Sequence, residues 1–281
     1  MLFKVDQIKN YLTKNQAKTP DIHFQNNTTL DTLKNIIMEL HETESLIAYI
    51  DDLLPDHSTA AKNNTAILSA NAINTNANIV AGSIAYFDKN MSAQQCEDVM
   101  YSTLFAQIAS DKRCDRKTQT RDWYRSYFDI LNKIGWSTYN TPFDPYRTTG
   151  NTLRPSDAVL KIMEWDQEAL PGLQKTLQAF STLPDDSMPV RVFDSASNLT
   201  FQTLTTTSAY DQIVTTIGSF QVIARENPKK FLFYSFPAST TELNFSVQRI
   251  ALNSDVYNQI RQNVIAKLGP YISTYITSFE L

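Results

Sequence analysis

Apolar residues recur at helical spacing through roughly the first two thirds of the chain and turn to alternation beyond it, a pattern that predicts an α+β protein. Thr28 with Asp31 reads as a capping-box start, followed by Leu30, Leu33, Ile37 and Leu40 on one face. The stripe slips at His41-Glu42-Thr43-Glu44 and resumes at Leu46, Ile47, Ile50, Leu53 and Leu54 before Pro55, so one kinked helix or two helices fit. A shorter stripe covers residues 6–16. Ser92 with Gln95 makes a second capping box, and Val99, Met100, Leu104 and Ile108 form the buried face of that helix. The clearest helix carries Trp123, Tyr127, Ile130, Leu131 and Ile134 on one side and is closed by Gly135, with Trp136 directly after. Two shorter helices are expected at 156–165 and 168–180, the second interrupted by Pro171-Gly172.

Strand chemistry begins at 79–87, a short buried strand containing Gly82, and dominates beyond Pro184. Segments 190–193, 199–205, 213–224 and 229–236 are rich in β-branched and aromatic residues. Leu243, Phe245 and Val247 alternate with polar neighbours, the mark of a strand with one wet face. Asn253 caps a helix whose Val256, Ile260, Val264 and Leu268 share a face, Gly269-Pro270 ends it, and 271–281 reads as a terminal strand. Residues 56–78 form a polar surface loop and 140–155 a connector. The expected architecture is one intertwined domain over 1–281, helical over about 1–183, with a largely antiparallel sheet over about 184–281.

Composition narrows the function classes. Hydrophobic residues make up 42% and charged residues 19%, which excludes a disordered chain. A net charge of −4 supplies no global field for nucleic acid. Apolar runs are far too short to span a membrane, and the N-terminus lacks a signal-peptide core. The chain is therefore expected to be made in the cytoplasm, with any export by a non-classical route.

Candidate chemistry is sparse. His23, His41 and His57 cluster early, and His41-Glu42-Thr43-Glu44 lacks the second His of a zinc-protease helix, so no metal site is expected. Asp51-Asp52 and Asp185-Asp186 diverge as neighbours and read as solvated charge. The Thr-rich stretch at 203–207 fits a strand edge, a turn or a wall of a lipid-sized pocket, and the strand edge is the expectation. Cys96 sits on an apolar helix face and should behave as a quiet small hydrophobe. Cys114 differs, because Lys112, Arg113, Arg116 and Lys117 surround it between two helices. Such a loop suits anionic lipid headgroups, and a cysteine beside it is a plausible acylation site.

Three segments, Ile79-Val80-Ala81-Gly82-Ser83, Asp122-Trp123-Tyr124-Arg125-Ser126-Tyr127 with Gly135-Trp136, and Val256-Tyr257-Asn258-Gln259-Ile260-Arg261, together with the helix-first, sheet-late order, resemble the Erwinia virulence factor family. The resemblance implies a non-enzymatic bacterial virulence factor that promotes persistence in an insect host. It also implies membrane targeting through a fatty-acyl (palmitoyl-type) group on cysteine, a covalently bound fatty acid being the one cofactor. It places the acylated cysteine in the C-terminal half, where this chain has none. Ala209 is taken as the position carrying alanine instead, with Cys114 the alternative attachment point. Lys112, Arg113, Arg116 and Lys117 would add the second membrane contact that one acyl chain requires. The expected partner is thus a lipid membrane or an acyl chain, not nucleic acid. In element order the chain is also similar to the cytolytic Cyt-type toxins, which leaves a membrane-permeabilising toxin as one alternative. A hydrolase or acyltransferase using Cys114 with a histidine is the other.

Overall fold

Alternation in the later half of the chain produces three long strands. The computed structural model describes residues 26–54, 76–139, 141–197, 199–209 and 212–281, with some side chains of 26–39 and that of Ala209 left aside. The chain divides into two compact units, Met1–Ser45 and Leu46–Leu281. In the first, the described part is the opening of helix α1 (Asn26–Leu53), which starts two residues before Thr28. The expected stripe at 6–16 and nearly all of the expected 56–78 loop lie outside the described residues, as do His23 and His57.

In the second unit, strands β5 (Thr200–Ala209), β6 (Gln212–Ile223) and β8 (Glu242–Leu252) form the antiparallel heart of the sheet. Phe201 faces one core and Leu204 the other. Likewise Phe220 and Val222 oppose Ile213 and Ile217, as a period of two requires. The sheet therefore buries both faces, and the threonines at 203–207, expected at a strand edge, lie in an interior strand flanked by β6 and β2, with Thr203, Thr205, Thr206, Thr215 and Thr216 buried inside the sheet. Thr206 and Thr215 face each other across the β5–β6 ladder with hydroxyls 3.0 Å apart.

The expected single strand at 79–87 is two: β1 (Ala77–Val80) and β2 (Ser83–Phe87), folded back on each other at Ala81-Gly82. Ala81 takes φ +50 there. This hairpin joins the sheet, β2 lying parallel to β5. Including β3 (Asp144–Tyr146) and the terminal β9 (Ile276–Phe279), the strand order is β3-β8-β6-β5-β2-β1-β9, and every other neighbouring pair is antiparallel. A two-stranded ladder pairs β4 (Thr152–Leu153) with β7 (Phe236–Pro237). The α+β class and the mostly antiparallel sheet are as expected, but the early hairpin sits inside the sheet.

One face is covered by α2 (Ala93–Arg113), α3 (Thr120–Lys133), α7 (Ser254–Leu268) and the last turns of α1. The other is covered by α4 (Pro155–Ile162), α5 (Leu170–Thr182) and α6 (Met188–Ser197). The Ser92–Gln95 capping box forms reciprocally, and Gly135 ends α3 at φ +106, where a Cβ would be strained. Trp136 is buried and donates its indole N–H to the Ser102 hydroxyl at 3.0 Å.

Three expected strands are otherwise. Segment 190–193 lies in α6, because Val190, Phe193 and Ser197 bury one helical face and Pro189 suits the first turn. Residues 229–236 give a short 3-10 turn, Phe231–Phe233, after Lys230 in the left-handed region at φ +49, before the two-residue β7. Within 271–281, Tyr271–Tyr275 form the short helix α8 ahead of β9. The expected break at Pro171-Gly172 is absent, since Pro171 occupies the first turn of α5.

Candidate functional site

α2 ends at Arg113, and Cys114 caps it in extended conformation, its N–H donating to the Ser110 carbonyl at 2.9 Å. The next residues are organised by Asp115, whose Oδ1 accepts from the Thr118 N–H (2.7 Å), the Thr118 hydroxyl (2.9 Å) and the Lys117 N–H (2.9 Å). The Thr118 amide and hydroxyl, with that Lys117 amide, hold the Asp115 carboxyl below its ordinary range. Lys112, Arg113 and Lys117 are exposed, whereas Cys114 is half-buried and packs against the first core, so the three cations flank it in sequence at the helix end. Asp115 offsets part of that charge.

Arg116 departs from this expectation. It does not face solvent, and a membrane contact through it is ruled out by its position. Its guanidinium donates to the Ala196 carbonyl at the end of α6 and to Gln107 Oε1 on α2, both at 2.9 Å, and lies 3.7 Å from the centre of the Trp123 ring. Gln107 in turn accepts from the Gly82 N–H and donates to the Val80 carbonyl, so one buried cation ties α2, α3, α6 and the β1–β2 turn together. Burial without a paired carboxylate pushes its pKa down, the Tyr124, Asp111 and Tyr127 side chains opposing the shift. Charge pattern alone could not distinguish this residue from its neighbours, because its partners are remote in sequence.

The other candidates are dispersed. Cys96 packs against the first core, and burial pushes its thiol up to about 11, in line with a quiet side chain. Ala209 closes the β5–β6 ladder opposite Gln212. His41, in the first unit, is exposed beside Glu44. The paired aspartates do not converge on one partner: Asp51 pairs with buried Lys267 at 2.9 Å, and Asp185 with Lys230 at 3.2 Å. Among the described residues, no group of three or more His, Cys, Asp or Glu side chains could hold a metal ion.

A cleft of about 570 Å³ opens between the outer face of α3 and residues 138, 139 and 141–143. Arg121, Arg125, Asp129 and Asn132 line it from the helix. Tyr124 and Phe128 close its inner side, and Tyr139 and Phe143 stand opposite. The Tyr124 and Phe143 rings are 5.0 Å apart, while Tyr139 remains 54% exposed. The sequence reading missed this site. The spacing of Arg121, Arg125 and Asp129 on one helical stripe was visible, but the wall across from it arrives through non-local packing.

No protein-family model and no curated protein matches the sequence. Among solved structures, the chain is similar to a delta-endotoxin at 13% identity, over 64% of this chain and 87% of that one, with a TM-score of 0.39. It is also similar to the Evf virulence factor at 11% identity, over 84% of this chain and 91% of that one, with a TM-score of 0.34. Both are distant likenesses, and neither carries a statement of function.

Proposed function

We propose that this protein acts at a membrane surface bearing anionic lipid, which it meets through the exposed end of α2 and the α2–α3 loop. The observation that carries the reading is the exposure of Lys112, Arg113 and Lys117 around the half-buried Cys114, in a chain whose net charge is −4. Each basic side chain near an anionic bilayer contributes about 1 kcal/mol, so three give about 3 kcal/mol, or roughly a hundredfold in partitioning, before the offsets of exposed Asp111 and Asp115. A fatty-acyl group on Cys114, or on a cysteine at position 209, would add a second anchor of marginal strength alone. That acyl group, a non-enzymatic mode of action and a virulence role in an insect host rest on the sequence resemblance.

Flotation with anionic vesicles tests the surface. The triple substitution Lys112→Ser, Arg113→Ser, Lys117→Ser, with Arg116 retained, should lower the bound fraction by an order of magnitude or more, as should raised salt. Equal flotation of both proteins, or equal binding to neutral vesicles, would remove this segment from the reading. Dye release from the same vesicles by unacylated protein would favour the permeabilising alternative.

A further inference from the structure

We infer that the cleft between α3 and residues 138, 139 and 141–143 is a binding site for an acidic sugar, a hexuronic or sialic acid unit, with its carboxylate at Arg121 and Arg125 and its ring against Tyr139. This goes beyond the membrane reading and uses none of the residues assigned to it.

The anion end follows from helix geometry. Arg121 and Arg125 are four residues apart, so they sit on one stripe about 6 Å apart along the axis, and both line the cleft. Arg125 pairs with Asp122 at 2.9 Å, an exposed contact with 64% and 55% of the two side chains open to water. Such a pair is weak, and a ligand carboxylate can share the cation. Arg121 has no ion-pair partner among the described residues. Guanidinium groups suit carboxylates because their paired N–H donors match two oxygens in a plane.

The ring end follows from the aromatic wall. A tyrosine more than half exposed at the rim presents an apolar face that a pyranose can cover with its C–H groups. Its backbone is fixed beneath, since the Tyr139 N–H donates to Oε1 of the buried Gln248 at 3.3 Å. Phe143 is half-buried and continues the wall.

Hydroxyl recognition would fall to the remaining lining. Asp129 and Asn132 offer acceptor oxygens, the Asn132 amide N–H₂ being turned to the Trp136 carbonyl at 3.3 Å. Thr138 and Thr141 complete the polar lining on the facing side. The same inventory disfavours other anions. The repulsion from Asp129 grows with ligand charge, so a phosphate dianion is penalised more than a monocarboxylate, and Arg121, Arg125, Asp129 and Asn132 along one side leave no wholly apolar channel for an acyl chain beside the aromatic wall.

Saturation-transfer NMR with glucuronic acid, N-acetylneuraminic acid, glucose and inorganic phosphate tests the assignment. At least one acid should receive saturation at its ring protons, and glucose should bind about tenfold more weakly or less. Arg121→Ser and Tyr139→Ala, both at exposed positions, should each weaken that binding by about tenfold with an unchanged Tm. The triple substitution at 112, 113 and 117 should leave it intact, so failure here and failure of the membrane reading are separable. No transfer to either acid, equal binding of glucose, displacement by phosphate at equal concentration, or insensitivity to both variants would overturn the proposal.

Discussion

Truncation of Arg116 to alanine tests the part of the fold that the charge pattern hides. The guanidinium makes two charge-assisted hydrogen bonds, to the Ala196 carbonyl and to Gln107 Oε1, each contributing about 1.5–3 kcal/mol. Its stacking on Trp123 at 3.7 Å adds about 2 kcal/mol in a desolvated setting. Against these stands the cost of burying the charge, several kcal/mol, which truncation would return. Truncation also strips the Ala196 carbonyl of its donor and opens a void beside the indole, so the net loss should be about 2–4 kcal/mol. For a unit of this size that is a Tm drop on the order of 10 °C. Arg116→Met keeps an apolar stem over Trp123 without burying a charge, and should lose about half as much or less. Urea unfolding followed by tryptophan emission reads both variants, since the affected ring is itself a fluorophore. Stability within about 0.5 kcal/mol of the parent for Arg116→Ala would refute the reasoning. Weakened vesicle binding at unchanged stability would restore the surface role that the sequence suggested.

Two more perturbations probe the same helix and its surroundings. In Gly82→Ala the new Cβ would collide with Arg116 Nη1. A loss of about 1–3 kcal/mol is expected by urea unfolding, less than additive with Arg116→Ala because both act on one network. With its thiol near 11 instead of the ordinary 9.0, Cys96 should be alkylated at neutral pH about a hundredfold more slowly than a free thiol, by peptide mapping. Because the raised pKa disfavours the thiolate, the rate should climb about tenfold per pH unit until that range; a plateau near pH 9 would contradict the burial.

The parts of the fold that were readable from sequence share a physical basis. Helices α2, α3 and α7 carry long apolar stripes with side-chain caps or a closing glycine, local signals that survive without knowledge of the rest. Strand β8 announces itself by alternation, although both faces of the sheet are covered by helices. The misread segments are short and β-branched or aromatic. Val190, Val192 and Phe193 are strand formers by type, but their burial against Phe180, Phe201 and Phe231 fixes them on a helix. Phe231–Phe233 is apolar because it plugs the second core from a turn. The candidate site divides in the same way. Exposure of Lys112, Arg113 and Lys117 follows from their place at a helix end, whereas Arg116 is drawn inward by Gln107 and by Ala196, 80 residues on. The aromatic cleft is equally non-local: Tyr139 is held by Gln248, 109 residues away.

The central claim, that the end of α2 meets an anionic bilayer, is tested most directly by a polarity-sensitive fluorophore placed on Cys114 in a Cys96→Ser background. Mixing with anionic vesicles should shift its emission to the blue, with reversal by salt and no shift with neutral vesicles. An unchanged spectrum while the protein floats with the vesicles would show that a different surface makes the contact.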